Sequence, residues 1–297
     1  MNWLTSLRLS RRLTFALLVT LVPGTVTAVH GSAAAHSVHP RRGWVDPPST
    51  PYFQYQLQTG AVGPGGIDVT LCASTRHPSP CSTPRVMDLD LYGPDGRTPN
   101  RAAVRALHAR GAYAICYVDA GTWESWRPDA GRFPRSLLGR ANGWPGERWL
   151  DIRRVNLILP LLTARVAACA RAGFNGVEFD NVDGFENTTG FALTSAAQLR
   201  FNRDLAALAH RYGLAAGLKN DPSQVGALAT TFDFAIDEQC EAYQQCGAFA
   251  PFIARDHSVF DVEYLALSAR VCDPSLKGLV VVTKQLALRA RPWGVCA

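Results

Sequence analysis

The chain is poor in lysine. Among 30 basic residues in 297, only Lys219, Lys277 and Lys284 are lysines, so a lysine at a strand end stands out. The 7 histidines form no HxH or HExxH arrangement, which removes the common zinc-hydrolase patterns. The 8 cysteines show no CxxC spacing, which removes a zinc ribbon or a dithiol redox motif. There is no GxSxG elbow, no phosphate-binding glycine loop and no histidine at a candidate strand end, so serine-hydrolase and nucleotide chemistry have no foothold. Nothing points to a metal or a cofactor. Beyond the N-terminus no run reaches the roughly 20 apolar residues that span a bilayer, so no membrane partner is expected of the mature chain.

What is present starts with an export signal. Arg8, Arg11 and Arg12 precede the short apolar run Leu13 to Val22, and Pro23 and Gly24 break that run. Val26-Thr27-Ala28 then supplies the small residues of a cleavage site, so residues 1–28 read as a signal peptide and the protein as secreted. Ser10 to Phe15 is also loosely twin-arginine-like, which leaves the export route open. Losing this segment takes the net charge from +6 to +3, too mild and too scattered for nucleic acid or anionic lipid. Residues 29–50, rich in Ala, Ser, His, Pro and Arg, read as a flexible leader, and residues 51–297 as the single functional domain, expected to be a monomer.

In an exported chain the cysteines point to disulfides. Cys72 and Cys81 flank a Pro/Ser-rich loop, Cys240 and Cys246 lie close together, and Cys272 could staple the tail at Cys296. Cys116 and Cys169 sit in apolar surroundings, either free or paired; spacing alone leaves the connectivity open.

Short apolar runs alternate with helical patterns, the signature of parallel βαβ units. Eight strands are expected: 52–57, 86–91, 113–118, 176–180, 215–219, 234–238, 259–263 and 279–283. Helices are expected over 101–110, 155–171 and 195–212, ended by Gly111, Gly173 and Gly213 where a left-handed cap belongs. Eight strands favour a closed (β/α)8 TIM-type barrel over a doubly wound open sheet. The Trp-, Pro- and Gly-rich stretch from Gly121 to Trp149 exceeds an ordinary loop and should build part of a cleft.

Barrel sites lie at the C-terminal strand ends. There the sequence places Asp88 and Asp90, Asp119, Glu178 and Asp180, Asp221, Asp237 and Glu238, and Glu263. One such acid is often a helix cap, as Asp221 before Pro222 or Asp183 before Gly184 could be, but six converging ends favour a site. Two carboxylates, one protonated and one ionised, are what glycosidic cleavage requires. Trp123, Trp126, Trp144, Trp149 and Tyr264 offer flat faces for sugar rings.

The segments Val177-Glu178-Phe179-Asp180-Asn181-Val182-Asp183-Gly184, Leu218-Lys219-Asn220-Asp221 and Asp237-Glu238-Gln239-Cys240 resemble glycoside hydrolase family 114. So do Phe260-Asp261-Val262-Glu263-Tyr264 and Cys116-Tyr117-Val118-Asp119-Ala120-Gly121 with Trp126-Arg127-Pro128. These are endo-α-1,4-polygalactosaminidases with a barrel fold. The resemblance implies retaining hydrolysis of an α-1,4-linked galactosamine or N-acetylgalactosamine polysaccharide, with Asp180 as nucleophile and Glu238 as acid/base. Substrate contacts are expected from Asp90, Tyr117, Asp119, Trp126, Glu178, Asn181, Asp183, Lys219, Asn220, Asp237, Glu263 and Tyr264. Glu178, two residues from Asp180 on the same strand face, competes for the nucleophile's role. Phe179 stands where many relatives carry a smaller residue or Pro, which bears on subsite shape. A hydrolase or transglycosylase acting on another glycan, and a non-catalytic carbohydrate-binding barrel, are the alternatives.

Overall fold

The structure, a computed structural model, describes residues 43–71, 81–264 and 275–295. Three strands come first: β1 (Phe53–Gln56), β2 (Val86–Asp90) and β3 (Tyr113–Asp119), with α1 (Arg101–His108) between the last two. An antiparallel flap follows, made of β4 (Thr122–Glu124), β5 (Leu138–Ala141) and β6 (Glu147–Leu150). Then come α2 (Val155–Ala172), β7 (Gly176–Asp180), α3 (Ser195–Arg211), β8 (Ala215–Lys219), α4 (Val225–Leu228) and β9 (Phe234–Glu238). The chain continues through α5 (Cys240–Tyr243), α6 (Ala250–Ile253), β10 (Val259–Glu263), β11 (Val280–Thr283) and the short β12 (Gly294–Val295).

The main sheet runs β1-β2-β3-β7-β8-β9-β10-β11 in parallel, with β12 antiparallel on β11. All eight expected strands form, with ends shifted by one residue at β1, β2, β3 and β11. The expected helices form too. Gly111, Gly173 and Gly213 take φ of 71°, 97° and 69°, the left-handed conformation that lets the chain leave a helix without a Cβ clash.

Period-two alternation splits the strand side chains into two layers. Phe53, Tyr55, Ile115, Phe234, Ile236, Phe260 and Val262 fill the barrel interior. Met87, Leu89, Cys116, Val177, Phe179, Leu218 and Ala235 face outward and pack on the helices. A disulfide from Cys116 to Cys169 joins β3 to α2 across that outer layer, and Cys240–Cys246 closes the turn after β9. Cys81 is disulfide-bonded, and the other three cysteines of the expected Cys72–Cys81 and Cys272–Cys296 pairs lie outside the described residues.

The barrel closes without a β11–β1 ladder among the described residues; the chain after β11 fills the seam. Leu57 and Gln58 amides donate to the Leu288 carbonyl at 3.0 and 3.1 Å, and Trp293 Nε1 donates to the Phe53 carbonyl at 2.8 Å. Lys284 Nζ, nearly fully buried, donates to Gln54 Oε1 at 2.7 Å and to the carbonyls of Arg289 and Ala290.

Two expectations change. Residues 43–50, assigned by composition to the leader, pack on the barrel: Trp44 stacks on His210 with ring centroids 3.9 Å apart, and the Val45 and Pro47 carbonyls accept from Tyr113 and Ser258. The second concerns long apolar helices. The 21 residues Ile152–Ala172 are long and apolar enough to cross a membrane, contrary to the run-length reading, which Arg153, Arg154, Arg165 and Arg171 had interrupted. Ile158, Leu162, Val166 and Cys169 are buried in the core, and Arg165 is buried in ion pairs, as a barrel helix requires.

Candidate active site

At the C-terminal mouth of the barrel the interior-facing ends of β7, β8 and β9 are Asp180, Lys219 and Glu238. Lys219, 2 % exposed, reaches Asp180 Oδ1 at 3.1 Å and Glu238 Oε2 at 3.5 Å. Asp180 also accepts from the Tyr117 hydroxyl at 2.7 Å and the Asn181 amide at 2.8 Å. Glu238 Oε1 accepts from the Tyr264 hydroxyl at 2.6 Å. Burial alone would raise the Asp180 pKa; the Lys219 ammonium, the Tyr117 hydroxyl and the Asn181 amide outweigh it and hold the carboxyl below the usual carboxylate range. Burial likewise opposes the charge on Lys219, yet the surrounding Asp180, Glu238 and Glu178 push it well above the usual lysine range.

The residue after each of these strands carries positive φ: Asn181 at 59°, Asn220 at 52° and Gln239 at 68°. Asparagine tolerates that conformation better than most residues, and such backbone concentrates at functional sites. Asn220 Oδ1 accepts the Glu238 amide at 3.0 Å and so fixes the end of β9. Gly121 has no room for a side chain, since a Cβ there would lie 1.6 Å from the Asn181 carbonyl oxygen.

Around the three charges opens a cleft of about 550 Å³. Of the expected contacts, Asp90, Tyr117, Trp126, Asn181, Lys219, Asn220 and Tyr264 line it with Asp180 and Glu238. Five others lie elsewhere. Glu178 is wholly buried one pleat below Asp180, accepting from Tyr55 at 3.0 Å, so it has no access to the cleft. Burial, against the pull of Lys219, pushes Glu178 up to about 7, and burial with Glu178 alongside pushes Asp88 well up. Asp119 is buried at the base of the flap, where it accepts from the Thr122 amide and hydroxyl and from Asn181 Nδ2.

Asp237 and Glu263 alternate out of the barrel, because each neighbours an inward residue, Glu238 and Tyr264. Glu263 accepts the Glu241 and Ala242 amides there. Asp183 lies outside the cleft lining, and it heads the turn Gly184–Glu186 without a side-chain cap bond. Nor does Asp221 cap α4: it accepts from Asn202 of α3 at 3.0 Å. Phe179 is buried in the outer layer, so it has no bearing on subsite shape.

The flap supplies what residue-by-residue reading missed. Glu124, Arg127 and Glu147 line the cleft beside the expected Trp144, as do Tyr55 and, from the seam, Leu286 and Leu288. Arg127 grips both Asp90 oxygens at 2.7 Å and Glu124 at 2.6 Å. Arg165 completes that pin with Glu124 and with both Asp129 oxygens. Of the four tryptophans flagged in this stretch, Trp126 and Trp144 are half exposed at the cleft, whereas Trp123 and Trp149 anchor the flap itself. The Trp-Arg-Pro motif and the length of the stretch were the available signals.

Cleaving an acetal needs one carboxylate to stay ionised beside a second that can exchange a proton. The barrel mouth offers that arrangement under aromatic walls, which places the molecule among barrel glycoside hydrolases. The model of glycoside-hydrolase family GH114 matches residues 33–295, and the chain belongs to that family. Among solved structures it is similar to Aspergillus fumigatus Ega3 in complex with galactosamine, with 28 % identity and a TM-score of 0.68 over 82 % of this chain and 94 % of that one. The glycoside hydrolase domain of PelA from Pseudomonas aeruginosa shares the fold at 17 % identity and a TM-score of 0.53, over 74 % of this chain and 95 % of that one. No curated protein matches the chain.

Proposed function

We propose that this glycoside hydrolase is secreted and cleaves α-1,4-linked galactosamine-containing polysaccharide within the chain, with retention of configuration. Asp180 is the nucleophile and Glu238 the acid/base. The observation that carries the reading is the single Lys219 Nζ between the two carboxylates. One ammonium can touch both only if they lie within the sum of its two contacts. That suits the roughly 5–5.5 Å spacing of retaining pairs and is shorter than nearly all of the roughly 6.5–9.5 Å inverting range, which must admit a water.

Asp180, kept ionised by Lys219, attacks the anomeric carbon while Glu238 gives its proton to the departing glycosidic oxygen. Glu238, now a carboxylate, takes a proton from water, whose oxygen displaces Asp180 from the sugar and restores both groups. Tyr117 and Tyr264 hold the two carboxyls in place through the shifts of charge. Support for the amino-sugar comes from the galactosamine bound by the similar Ega3 and from the acid-lined cleft. Support for secretion comes from the N-terminal signal pattern and the two disulfides.

The test is incubation of wild type, Asp180→Asn and Glu238→Gln with a panel of polysaccharides, with proton NMR of the first-formed anomer. Each variant should lose about 10²–10⁴-fold or more in rate, and the new reducing end should appear in the configuration of the bond cleaved. Full activity in both variants refutes the site. Cleavage of another glycan but not of the galactosamine polymer refutes the substrate.

A further inference from the structure

The flap is a three-stranded sheet with two faces. Its register sets Glu124 opposite Glu147, and sets both Trp123 and Ala141 opposite Arg148. Directly paired residues point to the same side of a sheet, and neighbours along a strand to opposite sides. Glu124 and Glu147 therefore share the face that lines the cleft, while Trp123, Arg148 and Ala141 share the other. That outer face is not flat. It holds a depression of about 410 Å³ over Trp123, Ala141 and Arg148, within the roughly 300–1,000 Å³ of small-ligand sites. The chemistry at Asp180 and Glu238 makes no use of it.

The depression and the cleft meet at the flap tip, where Trp144 and Glu147 border both. Trp144 is 54 % exposed, yet its backbone is fixed on either side. Its amide donates to Asn142 Oδ1 at 3.0 Å, and its carbonyl accepts the Glu147 amide at 3.1 Å. Gly143 and Gly146 bracket the tip with φ of 108° and 86°, a conformation glycine adopts without strain, and both leave the rim bare of side chains. Trp123 is held too, its Nε1 donating to the Ala130 carbonyl at 3.0 Å. Two indoles fixed in advance thus lie on one path, the first at the rim and the second on the outer face. Such rings suit the apolar faces of sugars, and a platform already in place avoids the entropy cost of ordering it. The charged group of the outer face, Arg148, is turned to the Gly139 and Leu138 carbonyls.

A polymer cut within its chain has to leave the cleft at both ends. We propose that the outer face of the flap is a remote sugar subsite: the polysaccharide passes from the cleft over Trp144 and lays further units on the Trp123 side, held by contact with ring faces. Long chains then gain binding that short ones do not reach. The proposal rests on the hydrolase reading above and deepens it.

The experiment measures kcat/KM along a ladder of α-1,4-linked galactosamine oligomers, from the shortest that is cleaved to lengths well beyond the cleft. Ala141 is exposed on the edge strand β5, so Ala141→Arg and Ala141→Met fill the depression without entering the cleft. In wild type kcat/KM should keep rising past the length that fills the cleft. Both variants should remove that second rise, lowering the longest oligomer by about tenfold and leaving the shortest unchanged. An effect of Ala141→Arg alone would mark repulsion of a cationic polymer and overturns the proposal, as do unchanged rates on long oligomers or an equal loss at every length. Calorimetric titration of the longest oligomer into Asp180→Asn, with and without Ala141→Arg, reads the same subsite in the absence of cleavage. Its Kd should weaken by about tenfold on adding Ala141→Arg, and equal Kd values overturn the proposal. A wild type that cleaves no oligomer sinks the hydrolase reading, whereas the difference in Kd would still uphold the subsite.

Discussion

Replacing Lys219 with Met removes the one cation between Asp180 and Glu238. At 3.1 Å and an effective dielectric of about 20, the Lys219–Asp180 attraction is about 5 kcal/mol before desolvation is subtracted. A neighbouring opposite charge at this range typically lowers a carboxyl pKa by about one to three units. Burial opposes ionisation of Asp180, and Lys219 heads the interactions that overcome it. The sign follows. In wild type Asp180 is ionised down through the weakly acidic range, so the acid limb of kcat/KM owes nothing to it above the usual carboxylate range. In Lys219→Met burial prevails, Asp180 holds its proton to higher pH, and the limb attributable to it moves up by about one to three pH units. Activity at pH 5 should fall by about tenfold or more relative to that at pH 8. Reducing-end release measured from pH 4 to 9 on the galactosamine polymer gives both limbs. Breaking a buried pair also costs about 3–5 kcal/mol of stability, so thermal unfolding is run in parallel and Lys219→Gln serves as a second variant. A folded variant whose acid limb and relative rates match wild type would refute the assigned role of Lys219.

Three other outcomes follow from the structure. Cys116→Ala with Cys169→Ala opens a loop of 53 residues and should lower stability by about 4 kcal/mol in the chain-entropy picture, read by denaturant unfolding; no change would place the constraint elsewhere. Arg165→Met strands Asp129 and leaves Glu124 to Arg127 alone at the root of the flap, and should cost about 3–5 kcal/mol and reduce kcat/KM by loosening Trp126 and Trp144; wild-type stability would contradict the pin. Asp221, Asp237 and Asp261, pushed by burial to about 8, 8 and 9, keep their protons in the native state but lose them on unfolding above their ordinary values. Stability should therefore fall as pH rises from about 4 towards 9, and Asp237→Asn should flatten that fall; a melting temperature that climbs over this range would be inconsistent with neutral buried acids.

Much of the barrel is legible because strands and helices are local patterns. The Tyr113 to Asp119 run, the apolar face of Ser195 to Arg211 and the glycines that end α1, α2 and α3 each act over a few residues. The carboxylates are legible for the same reason, since acids at the ends of apolar strands are conspicuous. Their sorting is harder. Asp237 beside Glu238 and Glu263 beside Tyr264 differ by one residue, hence by a whole face of the sheet, and only Glu238 and Tyr264 open on the cleft. Glu178 shares a face with Asp180 but sits one pleat deeper, beneath the lysine and beside Tyr55. Depth along a barrel axis has no local signature.

By itself the sequence determined eight strands, their helices, the acids at their ends and the lysine that stands out among arginines, because each depends on short-range periodicity or residue type. Only the tertiary structure decided which carboxylates meet Lys219, which tryptophans face the cleft and how the chain after β11 closes the seam. Those depend on contacts between segments tens to hundreds of residues apart, as Lys284 with Gln54 and Arg127 with Asp90 show. The charge of a buried side chain is set by such neighbours, so Asp180 beside Lys219 and Glu178 beneath Tyr55 are told apart only once the chain has folded around them.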